Sequence, residues 1–195
     1  YYVDKTMYIP QLEEEARFLF FTRPRRFGKS LFINMLRAYY DSSKKKDFQT
    51  LFGNLWIGKH PTPLQGAFQV LYLDFSQVGG SIDVVEERFN EYCCICLNDF
   101  MDSYGDAYPE NMRRDFYESK SAGAKLAMLD KKAKAIGLPL YLIIDEYDNF
   151  TNTILNEKGE AVYHAITHAD GFYRDFFKKF KGMFQRIFVT GVSPV

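Results

Sequence analysis

The run Leu140-Tyr-Leu-Ile-Ile-Asp-Glu146 constrains this chain more than any other stretch. It is too short for a buried helix, and Gly137 and Pro139 punctuate its entry, so it reads as a strand. A strand apolar on both faces needs a cover on both, which points to the interior of a parallel sheet. Two acids at its far end then stand at the C-terminal edge, where open α/β sheets bind ligands.

The rest of the chain fits that frame. A second apolar run, Arg17 to Thr22, predicts a buried first strand, and Lys29 to Tyr40 a helix with Leu31, Met35 and Leu36 on one face. The stretch from Asp41 to Gly66 is polar, with Gly53, Gly58, Pro61 and Pro63, and reads as an irregular connection. Phe68 to Phe75 predicts another strand. Ile82, Val85, Phe89, Tyr92, Cys96 and Phe100 recur at helical steps of three and four. Gly105 to Ser121 reads as a surface excursion and Ala122 to Ile136 as a helix. Gly159 to Met183 reads as two helical pieces broken near Asp170–Gly171, and Arg186 to Thr190 as a fourth strand. Strands alternating with helices give an α/β fold, a mostly parallel sheet with helices on both faces.

Composition excludes more than it selects. The 195 residues are 47% hydrophobic and carry 25 basic and 25 acidic side chains, so net charge argues for neither nucleic acid nor an anionic membrane. The longest apolar stretch, Leu138 to Ile144, cannot span a bilayer. The cysteines all lie at Cys93, Cys94 and Cys96; neighbours this close staple nothing together, which suits a reducing cytoplasm and buried structural thiols.

Between the first strand and its helix lies Arg23-Pro-Arg-Arg-Phe-Gly-Lys-Ser30. The phosphate-loop pattern G-x-x-x-x-G-K-[ST] sits in the same strand-to-helix context, and Gly28, Lys29 and Ser30 meet three of its four fixed positions. Arg23 replaces the first glycine. The loop Arg23, Pro24, Arg25, Arg26, Phe27 and Gly28 with the first helical residues Lys29, Ser30 and Leu31 makes the expected phosphate cradle through its backbone N–H groups, Pro24 having none to give. Lys29 neutralises the outer phosphates, and Ser30 with Asp145 holds magnesium. Glu146 prepares the attacking water. The pairing of these motifs resembles ATPases of the additional-strand, catalytic-glutamate type, and that resemblance implies Thr190, in Phe188-Val-Thr-Gly191, as the sensor of the γ-phosphate, with Ser193 behind it; a plain strand-end hydroxyl is the competing reading. Asp74 ends the second strand in a supporting position.

These strings, with Tyr2-Val-Asp-Lys-Thr6, Thr22-Arg-Pro-Arg-Arg-Phe-Gly-Lys-Ser30, Ile144-Asp-Glu-Tyr-Asp148 and Val189-Thr-Gly191, resemble the predicted AAA-ATPase-like family of bacterial proteins across essentially the whole chain. The resemblance implies a P-loop fold of the additional-strand, catalytic-glutamate type, with 1–195 as its ATPase core. It implies ATP and Mg2+ as ligands, ATP hydrolysis as the activity, and residues 2–6 near the nucleotide along base or ribose. Family members often carry a C-terminal PD-(D/E)XK nuclease-like domain, so nucleic acid and a homo-oligomer belong among the expected partners, and a membrane does not. A lid, a fifth strand and that domain are expected beyond this core. Two other readings stand beside hydrolysis: a non-hydrolysing ATP-dependent switch, and a small-molecule phosphotransferase. His164 and His168, four apart, lack a third metal ligand, and Lys44–Lys46 and Lys178–Lys179 read as solvated charge.

Overall fold

A computed structural model describes residues 3–24, 26–78, 82–149, 152, 155, 172–180 and 182–192. Four strands form one all-parallel sheet: β1 (Phe18–Thr22), β2 (Gln69–Asp74), β3 (Leu140–Asp145) and β4 (Arg186–Gly191). Their spatial order is β1-β4-β3-β2, so the last strand in sequence lies between the first and the acid-bearing third.

The expectation for β3 holds at every residue. All six side chains of Leu140–Asp145 are buried, and they divide between two cores. Leu140, Leu142 and Ile144 join one core with Leu71, Leu73 and Val189. That core is filled by α5 (Ile82–Tyr104), α6 (Glu110–Glu118), α7 (Ala122–Ile136) and α8 (Phe172–Lys178). Tyr141 and Ile143 face the other way, with Phe188, into a core built by α1 (Ile9–Glu14), α2 (Lys29–Tyr40), α3 (Phe48–Phe52) and α4 (Trp56–Lys59). Period-two alternation therefore serves two hydrophobic layers at once, which is why the strand reads as a continuous apolar run.

Several local readings are corrected. The stretch 41–66 is not irregular throughout: it holds a 3-10 turn at Ser42–Asp47 and the short helices α3 and α4, because Phe52 and Ile57 bury against α2. The excursion 105–121 contains α6, whose Phe116 is fully buried. Helix α1 carries Pro10 in its first turn, where the missing N–H costs nothing, and was not legible as a helix. Strand β1 is not buried: its side chains alternate exposed and half-buried, with Phe18 and Phe20 in solvent, because β1 is an outer strand of the described sheet. Leu31 also lies exposed rather than in the α2 core. Of the three cysteines only Cys93 is buried; Cys94 and Cys96 are half-buried. Arg25, Ser193, His164 and His168 lie outside the described residues, as does most of 159–183.

The other outer strand is closed by hydroxyls from α5. Tyr104 Oη accepts from Val70 N–H at 3.0 Å and donates to Asp41 at 2.8 Å. Tyr92 Oη accepts from Asp74 N–H at 2.7 Å. These two side chains take hydrogen bonds that a fifth strand would otherwise supply.

Candidate active site

Parallel pairing in register sends the ends of β1, β3 and β4 to the same edge: Thr22 stands opposite Gly191, and Ile144 opposite Val189. The chain turns at that edge from β1 into α2 through a loop that needs two left-handed residues, Arg26 at φ 68° and Gly28 at φ 76°. A Cβ at position 28 would meet nothing within 4 Å, so the backbone angle, and not space, favours glycine there. Gly28 caps α2 with no side-chain acceptor on the helix amides, and the first turn carries no acid. The positive end of a twelve-residue helix is thus left without an internal anion.

Beside it stands Lys29, only 6% exposed. Its ammonium pairs with Glu146 at 2.9 Å. Glu146 follows β3 directly and holds φ 52°, a conformation that costs a non-glycine residue about 1–2 kcal/mol. Together with Arg26 it places two left-handed non-glycine residues in two loops at one edge of the sheet, a clustering typical of functional sites.

Asp145, at the last residue of β3, is 3% exposed. Its Oδ1 accepts from Thr190 Oγ1 at 2.5 Å and from the Glu146 amide at 2.9 Å. Burial pushes the Asp145 carboxyl above the ordinary carboxylate range; the Thr190 and Glu146 donors pull it back, and the charges of Glu146 and Asp74 push with burial. Asp74 stands opposite Asp145 in the β2–β3 register, and its Oδ1 accepts from Ser76 N–H. Thr190 is fully buried. Its hydroxyl reaches Asp145 on the neighbouring strand.

The structure thus brings together Lys29, Asp145, Glu146 and Thr190. Ser30 is exposed on the first turn of α2, beside Lys29. Arg23, Pro24, Arg26, Phe27 and Leu31 are exposed around the loop. Arg23 continues the β1–β4 ladder by donating its amide to the Gly191 carbonyl at 3.2 Å, and its guanidinium lies over the Phe21 ring. Buried Asp145, with a serine hydroxyl on the facing helix, is a hard oxygen donor set of the kind magnesium takes with its own waters. Among the described residues no cluster of three or more histidine, cysteine or acidic side chains forms a site for a metal held by protein alone.

Sequence reasoning missed what supports this edge. Asp148 is buried, and its Oδ2 accepts from the Val192 amide at 2.9 Å, tying the turn after β3 to the turn after β4. Tyr147 is buried between Phe20 and position 191, and its carbonyl accepts from the Tyr173 hydroxyl at 2.9 Å. A Cβ at Gly191 would stand 2.4 Å from Tyr147 Cε1 and 2.6 Å from Asp148 Oδ1, so the close approach requires glycine. The signal was present in Tyr147: an aromatic residue directly after two acids seldom lies in a solvated turn.

The sequence profile of the AAA-ATPase-like family, described as predicted AAA-ATPase, matches residues 1–195, the entire chain. The chain belongs to the AAA-ATPase-like family. This membership carries a general ATPase-like role and nucleotide binding with it. The chain is also similar to an uncharacterized protein in the vnfD 5' region of Azotobacter chroococcum mcd 1, at 40% identity over 68 residues. That alignment covers 31% of this chain and 12% of the relative, so the chain spans a small part of that protein's length. No solved structure matches. Among the described residues, no helix is long and apolar enough to cross a membrane.

Proposed function

We propose that this member of the AAA-ATPase-like family is a magnesium-dependent P-loop ATPase of the additional-strand, catalytic-glutamate type. The observation that carries the reading is the convergence of Lys29, Asp145, Glu146 and Thr190 at one sheet edge. The β1-β4-β3-β2 order supports it, because β4 brings Thr190 between the loop strand and the acid strand. In this reading the amides that begin α2 and the Lys29 ammonium bind the phosphates of ATP. Ser30 and Asp145 are the residues that would hold magnesium, which when bound draws charge from the phosphate oxygens. Glu146 orients the water and takes its proton. Thr190 holds the Asp145 carboxylate in place through its hydrogen bond.

One observation favours a second reading. The 2.9 Å ion pair engages Glu146 with Lys29, so the resting arrangement also suits an ATP-dependent switch that does not hydrolyse. The deciding experiment is phosphate release from Mg·ATP beside the Glu146→Gln variant. Turnover lost in the variant with ATP binding kept establishes hydrolysis and the role of Glu146. Binding without phosphate release in the unaltered protein leaves the switch.

A further inference from the structure

Strands β3 and β4 stay in register only as far as Ile144 and Val189. On its other side β4 keeps pairing with β1, through Thr22 opposite Gly191. The pairing with β3 stops because Glu146, at φ 52°, turns the chain out of the sheet, and the Asn149 amide donates back to the Glu146 carbonyl at 2.9 Å. Two side chains take over where the ladder ends. Thr190 Oγ1 donates to Asp145 Oδ1 at 2.5 Å, and Asp148 Oδ2 accepts from the Val192 amide at 2.9 Å. They bracket Gly191, the last residue of β4.

The second bracket carries a penalty that packing does not require. Asp148 is 1% exposed, and a carboxylate out of water is unfavourable unless donors reach it. An apolar side chain would fill the same place without that penalty. A carboxylate there supplies a fixed acceptor for one backbone amide, and the turn 146–149 sets where that acceptor stands. Val192 is 39% exposed, so little packing holds the end of β4 in its stead. The neighbouring bracket orients Asp145. Its Oδ1 takes both the Thr190 hydroxyl and the Glu146 amide, and those two donors set the plane of the carboxylate.

We infer that Asp148 is a positioning residue: by anchoring Val192 it keeps the Thr190 hydroxyl on Asp145 Oδ1, and so presents the Asp145 carboxylate to magnesium. The inference rests on the magnesium reading of Asp145 proposed above. Asp148 needs no contact with phosphate or metal for this role. It acts through Thr190, two residues before the amide it holds. A hydroxyl turns about its own bond, and a small backbone shift at Thr190 takes it out of hydrogen-bond reach of Asp145. Groups that orient a metal's carboxylate in this way commonly carry about 10–100-fold of the metal affinity.

The test measures, by calorimetry, the affinity for a non-hydrolysable ATP analogue with magnesium and with EDTA; the ratio is the magnesium gain. In the unaltered protein the gain is expected to be about 10-fold or more. Asp148→Ala is expected to cut it to about 2-fold or less while leaving the affinity in EDTA unchanged. Asp148→Asn keeps an oxygen acceptor for the Val192 amide and is expected to recover most of the gain. Thr190→Val should lose the gain to the same extent, and Asp148→Ala combined with it should lose no more, because both act on one carboxylate. Additive losses would overturn the assignment, and so would a full gain in Asp148→Ala. An equal loss with and without magnesium would make Asp148 a residue of the fold at large and overturn it too. Where Asp148→Ala does not fold, Asp148→Leu fills the place without an acceptor and is read in the same way. Analogue binding with no magnesium gain in the unaltered protein would overturn the magnesium site and this role with it. No binding in either condition would overturn the phosphate loop as well.

Discussion

The two ends of the sheet are built on opposite principles. At the end where β1 and β4 begin, polar groups are matched one to one. Arg186 donates from Nη1 to the Leu12 carbonyl at 3.2 Å and from Nη2 to the Glu13 carbonyl at 2.7 Å, capping the last turn of α1 with a cation. Glu13 Oε1 accepts from Tyr40 at 3.1 Å and from Thr62 at 2.8 Å, and Tyr39 accepts from the Thr62 amide at 2.8 Å. Burial holds the Tyr40 phenol far above its usual range, with the neighbouring Tyr141 and Glu13 adding to the effect, so it stays a neutral donor. Among the described residues, the left-handed positions leading into that end are all glycines, Gly66, Gly137 and Gly182.

At the other end the same sheet collects cost. Two non-glycine residues, Arg26 and Glu146, hold positive φ, Asp145 is buried against its preference, and a helix start faces no internal anion. The Lys29–Glu146 pair and the Thr190 hydroxyl on Asp145 offset part of this, and an incoming phosphate competes for the lysine. The difference teaches where the fold draws its stability and where it spends it: an end whose charged and hydroxyl groups find partners anchors the sheet, and an end left with unmet demands is available to a ligand.

The largest expected break in this comparison is at Lys29. Lys29→Ala should lower affinity for Mg·ATP by about 100-fold, on the scale of a lost charge-assisted bond near 2.7 kcal/mol. Its melting temperature should stay close to that of the unaltered protein, since Glu146 remains partly exposed. Calorimetric titration beside thermal melting checks both, and unchanged ATP affinity would remove the phosphate loop from the site.

Arg186→Ala should do the reverse. Two charge-assisted bonds to backbone carbonyls disappear, so unfolding free energy should fall by about 1–3 kcal/mol with ATP affinity kept. Urea denaturation measures it. A loss of affinity without a loss of stability would show that the two ends are not separate in role.

The smallest effect sharpens the comparison through pH. Because burial raises the Asp145 carboxyl, its contribution to stability is fully present below the unfolded-state value and is lost as pH rises through the folded one. The Thr190 hydroxyl works against that rise, so Thr190→Val should move the loss to higher pH. Denaturation midpoints measured in steps across the acid range would show the displacement. Superimposable profiles would mean the hydrogen bond does not set the carboxyl.

The local pattern by itself determined a good deal. The helix expected at 29–40 is α2 to the residue, and the apolar run ending in Asp145 is β3. These are readable because burial on a helix face or on both faces of a strand prints a period in the residues themselves. Short helices α3 and α4 and the exposure of β1 were not readable, because a few residues of apolar character carry no period, and because a run such as Phe18–Phe21 looks the same whether or not a neighbour covers it. The tertiary structure alone decided that β4 would lie between β1 and β3, that Thr190 would reach Asp145, and that Lys29 would meet Glu146. Those partners are separated by 45 or more positions in every case but gain their contact from strand register and helix packing, which no local stretch of sequence encodes.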